Sequence, residues 1–329
     1  MLSFILRRLL IIIPMALIVV SVTWGLIRLA PGNFYESDKP LPPAIKANIE
    51  KKYGLDQPIW RQYVRMMGNI TCRTTDAEEE TRNGVQFGLF GYRMKCLDFG
   101  DSLKYQGQSV NEIIARHLPY SATIGLLAYL LALIVGGSAG MIAALRQNSA
   151  FDYASMAIAM LGLSIPNFVL GPILVIGFAL GLYWFPPARW GGPSSLVLPV
   201  ITLAAIYAAY IARLTRAGML EIMRSDYIRT ARAKGLSEWT VLLKHALRGG
   251  IIPVVSFTGP ALAALLAGTV VVERVFSIPG LGNIFIQAVL NRDDTLVVGI
   301  VAFLSILIMI FNLIVDISYG YLDPRIRYD

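Results

Sequence analysis

The sequence predicts an all-α integral membrane protein with six spanning helices, and three observations support this fold class. Hydrophobic residues make up 56% of the 329 residues and charged residues only 15%, whereas about a quarter of an ordinary soluble domain is charged. Six charge-free runs reach about 18 residues or more, the length that a helix needs to cross a bilayer. Basic residues are concentrated in one loop between two of these runs, as in the cytoplasmic loops of membrane proteins. This composition argues against a cytosolic enzyme, a disordered chain and a collagen-like chain.

The six runs define the predicted spans and their topology. They cover residues 9–27, 118–145, 153–188, 190–212, 249–272 and 295–315. Arg7 and Arg8 precede the first run, which places the N-terminus on the cytoplasmic side, and six crossings return the C-terminus there. The predicted inner segments hold 13 Lys and Arg residues, whereas the two short outer loops hold three.

The predicted domain organisation follows from these spans. Residues 1–29 form the N-terminal cytoplasmic tail and first span, 30–117 an extracytoplasmic loop or cap, 118–319 the membrane core with a loop at 213–250, and 320–329 a cytoplasmic tail. The first run could instead be a cleaved signal peptide. Its apolar length of 19 residues exceeds the roughly 7–15 residues of such a segment, so an uncleaved span is preferred.

The third run is too long for one untilted helix, and it contains Pro166. A proline inside a helix removes a backbone hydrogen bond and kinks the helix, so we expect one kinked helix over residues 153–183. The sequence leaves two explanations of the kink open: a bend that helix packing requires, or a bend that lines a translocation pathway. On the second explanation, Ser164, Pro166 and Asn167 are candidate pathway residues.

The segment 30–117 is the only sizeable hydrophilic region and contains both cysteines of the chain, Cys72 and Cys96. Helices are predicted over 43–52 and 58–68, and a Gly-rich segment of mixed charge follows. On the outer face of a membrane the two thiols can form a disulfide, which would restrict the unfolded loop by roughly 3 kcal/mol. The alternative is two isolated thiols.

The sequence lacks the motifs of several enzyme and binding classes. It contains no Gly-Lys dipeptide and therefore no Walker A loop, which excludes nucleotide hydrolysis by this chain. His117 and His245 lie on opposite predicted faces of the membrane, which argues against a metal site. The net charge of +8 lies in loops between spans, which argues against nucleic-acid binding.

The cores of the six runs carry no ionisable residue. Ion-driven transporters usually place such residues near the bilayer midplane, so we expect an energy source outside this chain. Glu273 and Asp316 lie just beyond the ends of their runs, and the simpler interpretation is that they are interfacial residues that snorkel or pair. Glu273 is also a candidate gate residue of the pathway.

The basic loop predicts two short amphipathic helices, over 218–234 and 238–247. Between them Gly235 is a natural helix stop and Ser237 a natural N-cap. Apolar residues recur at helical spacing in both segments: Met219, Ile222, Met223 and Tyr227, then Trp239, Leu242, Leu243 and Leu247. The loop can therefore lie on the membrane surface or dock into a groove of another protein.

This loop resembles the EAA loop of binding-protein-dependent ABC importer permeases. The resemblance is carried by consecutive residues of the loop: Arg229, Thr230, Ala231, Arg232, Ala233, Lys234, Gly235 and Leu236. Ala231 and Gly235 match the second alanine and the glycine of the family pattern. Arg229-Thr230 replace Glu-Ala and His245 replaces an isoleucine, and these departures resemble the peptide/nickel subfamily. Further similar segments cover nearly the whole chain: 4–8, 28–32, 41–43, 52–58, 98–102, 164–168, 278–282 and 322–328.

The resemblance implies the transmembrane domain of a type I ABC importer, with a coupling loop between the fourth and fifth helices. It implies a non-catalytic permease subunit of the bacterial inner membrane that translocates peptides, oligopeptides foremost. The implied partners are a homologous second permease, two ATP-binding subunits and an extracytoplasmic peptide-binding protein, in a lipid bilayer. The chain itself would carry no cofactor, since ATP and Mg are bound by the ATPase subunits, and residues 229–236 and His245 would contact those subunits.

Other functions remain open at this point. Permeases for dipeptides, nickel, glutathione or opines share the same motifs, and the segment 68–95, longer than usual in the family, bears on outer-loop contacts and substrate range. A stand-alone secondary transporter or channel is a rival from another class, since sodium sites can be built from backbone oxygens. A membrane scaffold without a transported solute is the third possibility.

Overall fold

The structure is a computed structural model that describes residues 2–29, 42, 47–48, 50–51, 53–75, 85–89, 92–266 and 270–322. It is mostly helical, and the stretch of chain that connects the first two long helices contains a small sheet. The helices are α1 (Leu2–Leu29), α2 (Ile59–Thr71), α3 (Val110–Leu145), α4 (Ala150–Ser164), α5 (Asn167–Leu174, continued as a π-helix over Val175–Gly181), α6 (Val197–Met223), α7 (Asp226–Ala233), α8 (Glu238–Thr240, a π-helical turn over Val241–Ala246, and Leu247–Gly250), α9 (Ile252–Leu266), α10 (Val270–Val275), α11 (Leu281–Leu290) and α12 (Asp294–Leu322). The strands are β1 (Arg73–Thr75), β2 (Val85–Leu89) and β3 (Tyr92–Cys96).

The described helices confirm the predicted mostly helical membrane protein. Five helical segments are long and apolar enough to cross a bilayer: Leu6–Leu29, Val110–Leu145, Pro193–Met223, Ile252–Val275 and Asp294–Ser318. A sixth span exists if α4 and α5 are counted together as one broken span. The chain divides into two compact units, one of residues 1–9, 120–283 and 307–329, the other of residues 10–119 and 284–306.

The predicted single kinked helix over 153–183 is wrong, because α4 and α5 are separate helices that meet at an angle of 102°. Helix α4 ends at Ser164, and Ile165 is extended with φ −91° and ψ 113°. A residue that precedes proline is driven out of the α region by the proline ring, and Pro166 then occupies the N-cap of α5. The proline therefore breaks the helix.

The core of the first unit is built where α3, α6, α9 and α10 pack closely. A Cβ atom at Gly136 would overlap the carbonyl of Ala208, and one at Gly140 would overlap that of Ala212. Glycines one turn apart thus let α3 and α6 approach at backbone distance, which is common between membrane helices. The largest buried side chains of this core are Ile124, Leu198, Leu203, Ile211, Leu265, Phe276 and Ile278.

The outer insertion belongs to the second unit and departs in part from the prediction. Helix α2 confirms the helix expected over 58–68, whereas most of the expected helix at 43–52 lies outside the described residues. The Gly-rich segment contains an antiparallel sheet in the order β1-β3-β2, which the all-α expectation missed. Strands of three to five residues are too short to carry a clear alternating pattern.

The chain termini are described as far as the helices reach. Helix α12 extends to Leu322, so most of the expected cytoplasmic tail at 320–329 lies outside the described residues. Arg8 in the first turns of α1 forms an ion pair of 2.8 Å with Asp316 near the end of α12. Asp316 is therefore a paired residue, as the simpler interpretation of the sequence held.

Candidate functional site

The basic loop turns at Gly235, which has a φ of +76°. This left-handed conformation is easy for glycine and costly for residues with a Cβ atom, so Gly235 ends α7 as the sequence predicted. Ser237 caps α8 by accepting a hydrogen bond from the backbone N–H of Thr240. Arg232 and Glu238 join the two helices through two hydrogen bonds of 2.9 and 3.2 Å across the turn.

The first of the two predicted loop helices is wrong in extent, because the segment 218–234 is divided at Arg224 and Ser225. The N–H groups of Arg224 and Ser225 bond to Glu221 and Ile222 as α6 ends. Ser225 has an extended ψ of 153° and serves as the N-cap residue of α7. Serine competes with the helix for backbone hydrogen bonds and is favoured at helix starts, which explains the break.

A buried apolar cluster attaches the loop to the long helices beside it. It contains Ala144 of α3, Met219 of α6, Ile228 and Ala231 of α7, and Val241, Leu242 and Ala246 of α8. Six of these seven side chains lie on α6, α7 and α8, and the seventh, Ala144, lies at the end of α3. The cluster thus packs α7 and α8 against the ends of α3 and α6.

The loop and α6 approach each other at backbone distance. A Cβ atom at Gly218 would overlap the carbonyl of Gly250, and a Cβ at Gly250 would meet the side chain of Met219. A Cβ at Gly249 would lie 2.9 Å from Ile222. The end of α8 thus lies against α6, and the cluster and these glycines together hold the loop on both sides of its turn.

The predicted coupling residues divide into an exposed set and a buried one. Ala231 is buried in the cluster and His245 is half-buried, whereas the remaining members of the predicted set are exposed: Arg229, Thr230, Arg232, Ala233, Lys234, Gly235 and Leu236. Trp239 and Leu243 are exposed to 71% and 54%, so the apolar face expected for the second helix is only partly covered. An exposed surface that mixes cations with large apolar side chains can bind another protein.

An ion pair that sequence reasoning missed lies close to the loop. Asp152, in the first turn of α4, is 2% exposed and accepts hydrogen bonds of 2.6 and 2.7 Å from Arg216 of α6. Asp152 also accepts the N–H of Asn148, and Ser149 caps α4. The Ser-x-x-Asp pattern at 149–152 is the sequence signal of such a helix start, but nothing in the sequence pairs Asp152 with Arg216.

The predicted pathway residues lie at the break between α4 and α5. Ser164 is exposed, and its hydroxyl donates to the carbonyl of Met160 at 2.8 Å. Asn167 begins α5, and its Oδ1 is buried with no hydrogen-bond partner in the part of the chain that the structure describes. A break in a membrane helix exposes backbone polar groups that must face protein or water.

Glu273 is fully buried at the end of α10 and holds the start of α11. One carboxylate oxygen accepts the hydroxyl of Ser121 at 2.7 Å, and the other accepts the backbone N–H of Asn283 at 2.8 Å. Ser121 in turn accepts the N–H of Leu281 at 2.8 Å. A Cβ at Gly280 would overlap the carboxyl group. The carboxylate thus lies at the N-terminus of α11, where negative charge is favourable.

In the second unit, Asp293 holds the segment that precedes α3. Its carboxylate accepts the hydroxyl of Ser102 at 2.5 Å and the backbone N–H groups of Leu103 and Lys104, and it caps α12 through the N–H of Leu296. Tyr105 donates its hydroxyl to Gln287 at 3.1 Å, and burial raises the pKa of this phenol. Sequence reasoning missed this junction.

A disulfide joins Cys72 to Cys96 and ties the start of β1 to the end of β3. Next to it, Lys95 and Asp98 form a buried ion pair of 2.8 Å. Among the described residues, no group of three His, Cys, Asp or Glu side chains could hold a metal ion.

Two protein families match the chain. The family described as binding-protein-dependent transport system inner membrane component matches residues 136–328, and the one described as the N-terminal part of the membrane component of such systems matches residues 1–125. The chain is 41% identical over 330 residues to the oligopeptide transport system permease protein OppB of Haemophilus influenzae, covering 100% of both chains. OppB of Escherichia coli K12 is also 41% identical over its full length. The dipeptide transport system permease protein DppB of Bacillus subtilis is 38% identical over 94% of this chain and 93% of that protein.

Solved structures support the same fold. The inward-facing MetNI methionine ABC transporter matches with a TM-score of 0.55 at 18% identity, over 64% of this chain and 97% of that chain. An amino acid ABC transporter matches with a TM-score of 0.51 at 16% identity, over 64% of this chain and 94% of that chain. Both likenesses concern the fold alone. The matched families and the full-length relatives place this multi-pass membrane protein in the family of binding-protein-dependent transport system inner membrane components, the permeases of ABC transporters.

Proposed function

We propose that this chain is the permease subunit of an ATP-driven importer that translocates peptides, oligopeptides foremost, across the bacterial inner membrane. The observation that carries the proposal is full-length similarity to permeases whose names specify oligopeptide transport. The basic loop adds mechanical support, since it presents an exposed surface of cations and apolar side chains on a buried base.

The proposed partners are a homologous second permease, two ATP-binding subunits and an extracytoplasmic peptide-binding protein. The permease itself performs no catalysis, and ATP and Mg are bound by the ATP-binding subunits. Residues 229–236 and His245 form the proposed contact with one ATP-binding subunit. Trp239 and Leu243 extend this surface, because both large apolar side chains are more than half exposed.

In the proposed mechanism, closure of the ATP-binding subunits displaces α7 and α8, and the buried cluster transfers this movement to α3 and α6. The ion pair of Asp152 and Arg216 then transfers the movement of α6 to the start of α4. Alternating access follows if the helices around the break of α4 and α5 change their packing. Ser164, Pro166 and Asn167 are proposed to line the pathway there. Glu273 is a proposed gate residue whose movement requires its bonds to Ser121 and Asn283 to break.

Both termini are proposed to lie in the cytoplasm. The ion pair between Arg8 and Asp316 supports a common side for the two ends, because it brings the start of α1 close to the end of α12. The excess of basic residues in loop 213–250 supports the cytoplasm as that side.

The experiment is reconstitution of the chain with its partner subunits in proteoliposomes, with uptake of labelled peptides of two to eight residues measured with and without ATP. The expected result is ATP-dependent uptake that favours peptides longer than two residues. ATP-dependent uptake of dipeptides, nickel, glutathione or opines alone would show that the proposed cargo is wrong, but the proposed importer function would stand. Transport by the chain alone in vesicles without ATP would overturn the proposal in favour of a stand-alone transporter or channel.

A further inference from the structure

A charged cavity of about 450 Å³ lies in the second unit, between the end of α1, helix α2 and the first turns of α12. Its lining carries both signs of charge: Arg28, Arg65, Lys95, Asp98, Asp101 and Asp294. Lys95 and Asp98 bond to each other at 2.8 Å and neutralise one another. A cavity of this size can accommodate a small molecule or the headgroup of a lipid.

Arg28 is held in place by a hydrogen bond to an oriented side chain. One terminal nitrogen of its guanidinium donates to Oε1 of Gln62 at 2.6 Å. The amide of Gln62 is itself oriented, because its Nε2 donates to the carbonyls of Leu55 and Gln57. The Nε atom of Arg28 is buried, and no described residue accepts its hydrogen. A buried donor without an acceptor is costly, and a planar guanidinium suits a phosphate oxygen.

A shallow apolar groove adjoins the cavity. Six residues line it: Ser21, Trp24, Gly25, Ile59, Trp60 and Tyr63. Trp24 lines both the groove and the cavity, so the polar and apolar spaces meet at this side chain. Ile59 and Trp60 are exposed to 63% and 62%, although both are large and apolar.

The position of the two spaces agrees with a membrane boundary. Trp24 and Arg28 lie in the last turns of α1, a helix apolar enough to span a bilayer. Tryptophan is enriched at the membrane interface, and an arginine near a helix end can extend its charged group to it. Helix α2 exposes Ile59, Trp60 and Val64 while its other face is polar, as in helices that lie in the plane of the interface.

We propose that the cavity and groove together bind one zwitterionic phospholipid with a primary ammonium group, such as phosphatidylethanolamine. Its phosphate bonds to Arg28, its ammonium group to Asp294, and one acyl chain lies along the groove beside Trp24 and Trp60. Charge complementarity selects this occupant, because the cavity carries both cations and anions at the membrane boundary. A free peptide is also zwitterionic, but it has no acyl chain to cover the apolar groove.

The test is native mass spectrometry of the delipidated complex with its partner subunits, titrated with dioleoyl phosphatidylethanolamine, phosphatidylcholine or phosphatidylglycerol. We expect phosphatidylethanolamine to bind roughly tenfold more tightly than the other two, the scale of a charged hydrogen bond. A quaternary ammonium group donates no hydrogen bond, and phosphatidylglycerol has no ammonium group. This comparison uses the unaltered protein and does not depend on any variant folding.

Two variants locate the site. Arg28→Gln should weaken all three lipids, whereas Asp294→Asn should remove the preference for phosphatidylethanolamine over phosphatidylcholine. Arg116→Gln is the matched control, because Arg116 is an exposed arginine of α3 that lines neither the cavity nor the groove. Equal binding of the three lipids to the unaltered protein overturns the proposal. Displacement of the bound lipid by trialanine also overturns it, and assigns the cavity to peptide.

Discussion

Arg216 donates two hydrogen bonds, of 2.6 and 2.7 Å, to the carboxylate of Asp152. The two residues are 64 positions apart, and their side chains join α6 to the first turn of α4. Asp152 is almost completely buried. The pair connects the helix that carries the basic loop to the helix that ends at the membrane break, and it therefore tests the proposed mechanism directly.

Replacing Arg216 by glutamine should destabilise the protein and weaken coupling. The Asp152 carboxylate loses its charged partner, and a carboxylate left unpaired among packed side chains is destabilising. We expect lower thermal stability and a higher ratio of ATP hydrolysed to peptide transported. The control is Arg213→Gln, one turn earlier on α6, since Arg213 is exposed and stacks on Tyr210. An unchanged coupling ratio in the assembled Arg216 variant would refute the role of the pair in transmission.

Replacing Gly235 by valine should uncouple ATP hydrolysis from uptake. A β-branched residue resists the left-handed conformation at this turn, at a cost of about 1–2 kcal/mol, so α7 and α8 would change their relative orientation. ATPase activity and peptide uptake in proteoliposomes measure the effect. Gly235→Asn is the matched variant, because asparagine tolerates positive φ. Transport at the wild-type rate by the assembled valine variant would show that the turn has no such role.

Replacing Ser121 by alanine should destabilise the junction of α10 and α11. The change removes a donor from Glu273 and an acceptor from the N–H of Leu281, at a cost of roughly 1–3 kcal/mol. Thermal unfolding of the purified complex measures it. Glu273→Gln should cost a similar amount, and the double variant should lose less than the sum, because both changes break one network. Additive losses would mean that the two side chains act independently.

Reducing the disulfide should loosen the outer insertion and leave the membrane core intact. The bridge spans 24 positions, and its loss releases unfolded-chain freedom worth about 3 kcal/mol. Limited proteolysis should cut within residues 73–95 only after reduction or in the Cys72→Ser, Cys96→Ser variant. Adding reductant to that variant serves as the control and should change nothing. Equal resistance of the oxidised and reduced proteins would contradict the prediction.

Much of the candidate site could be predicted from local sequence. Gly235 predicts a turn and Ser237 predicts a helix cap, because both depend on the residue's own conformational and hydrogen-bonding preferences and need no distant partner. The extent of the first loop helix was wrong because α6 ends at Met223 and Ser225, which can also lie within a helix, here serves as the N-cap of α7. The break at Pro166 was expected only as a kink, since a proline pattern does not state the angle between the two helices.

The sequence by itself determined the mostly helical membrane fold, the place of the apolar segments, and the family through motifs spread along the chain. Apolar length and charge placement are properties of single segments, so the insertion of each segment into the bilayer can be predicted from its own sequence. Only the tertiary structure decided that Asp152 bonds to Arg216, that Glu273 bonds to Ser121 and Asn283, and that Asp293 holds Ser102. A polar side chain buried among apolar ones must find a partner, and which partner it finds depends on how distant helices pack.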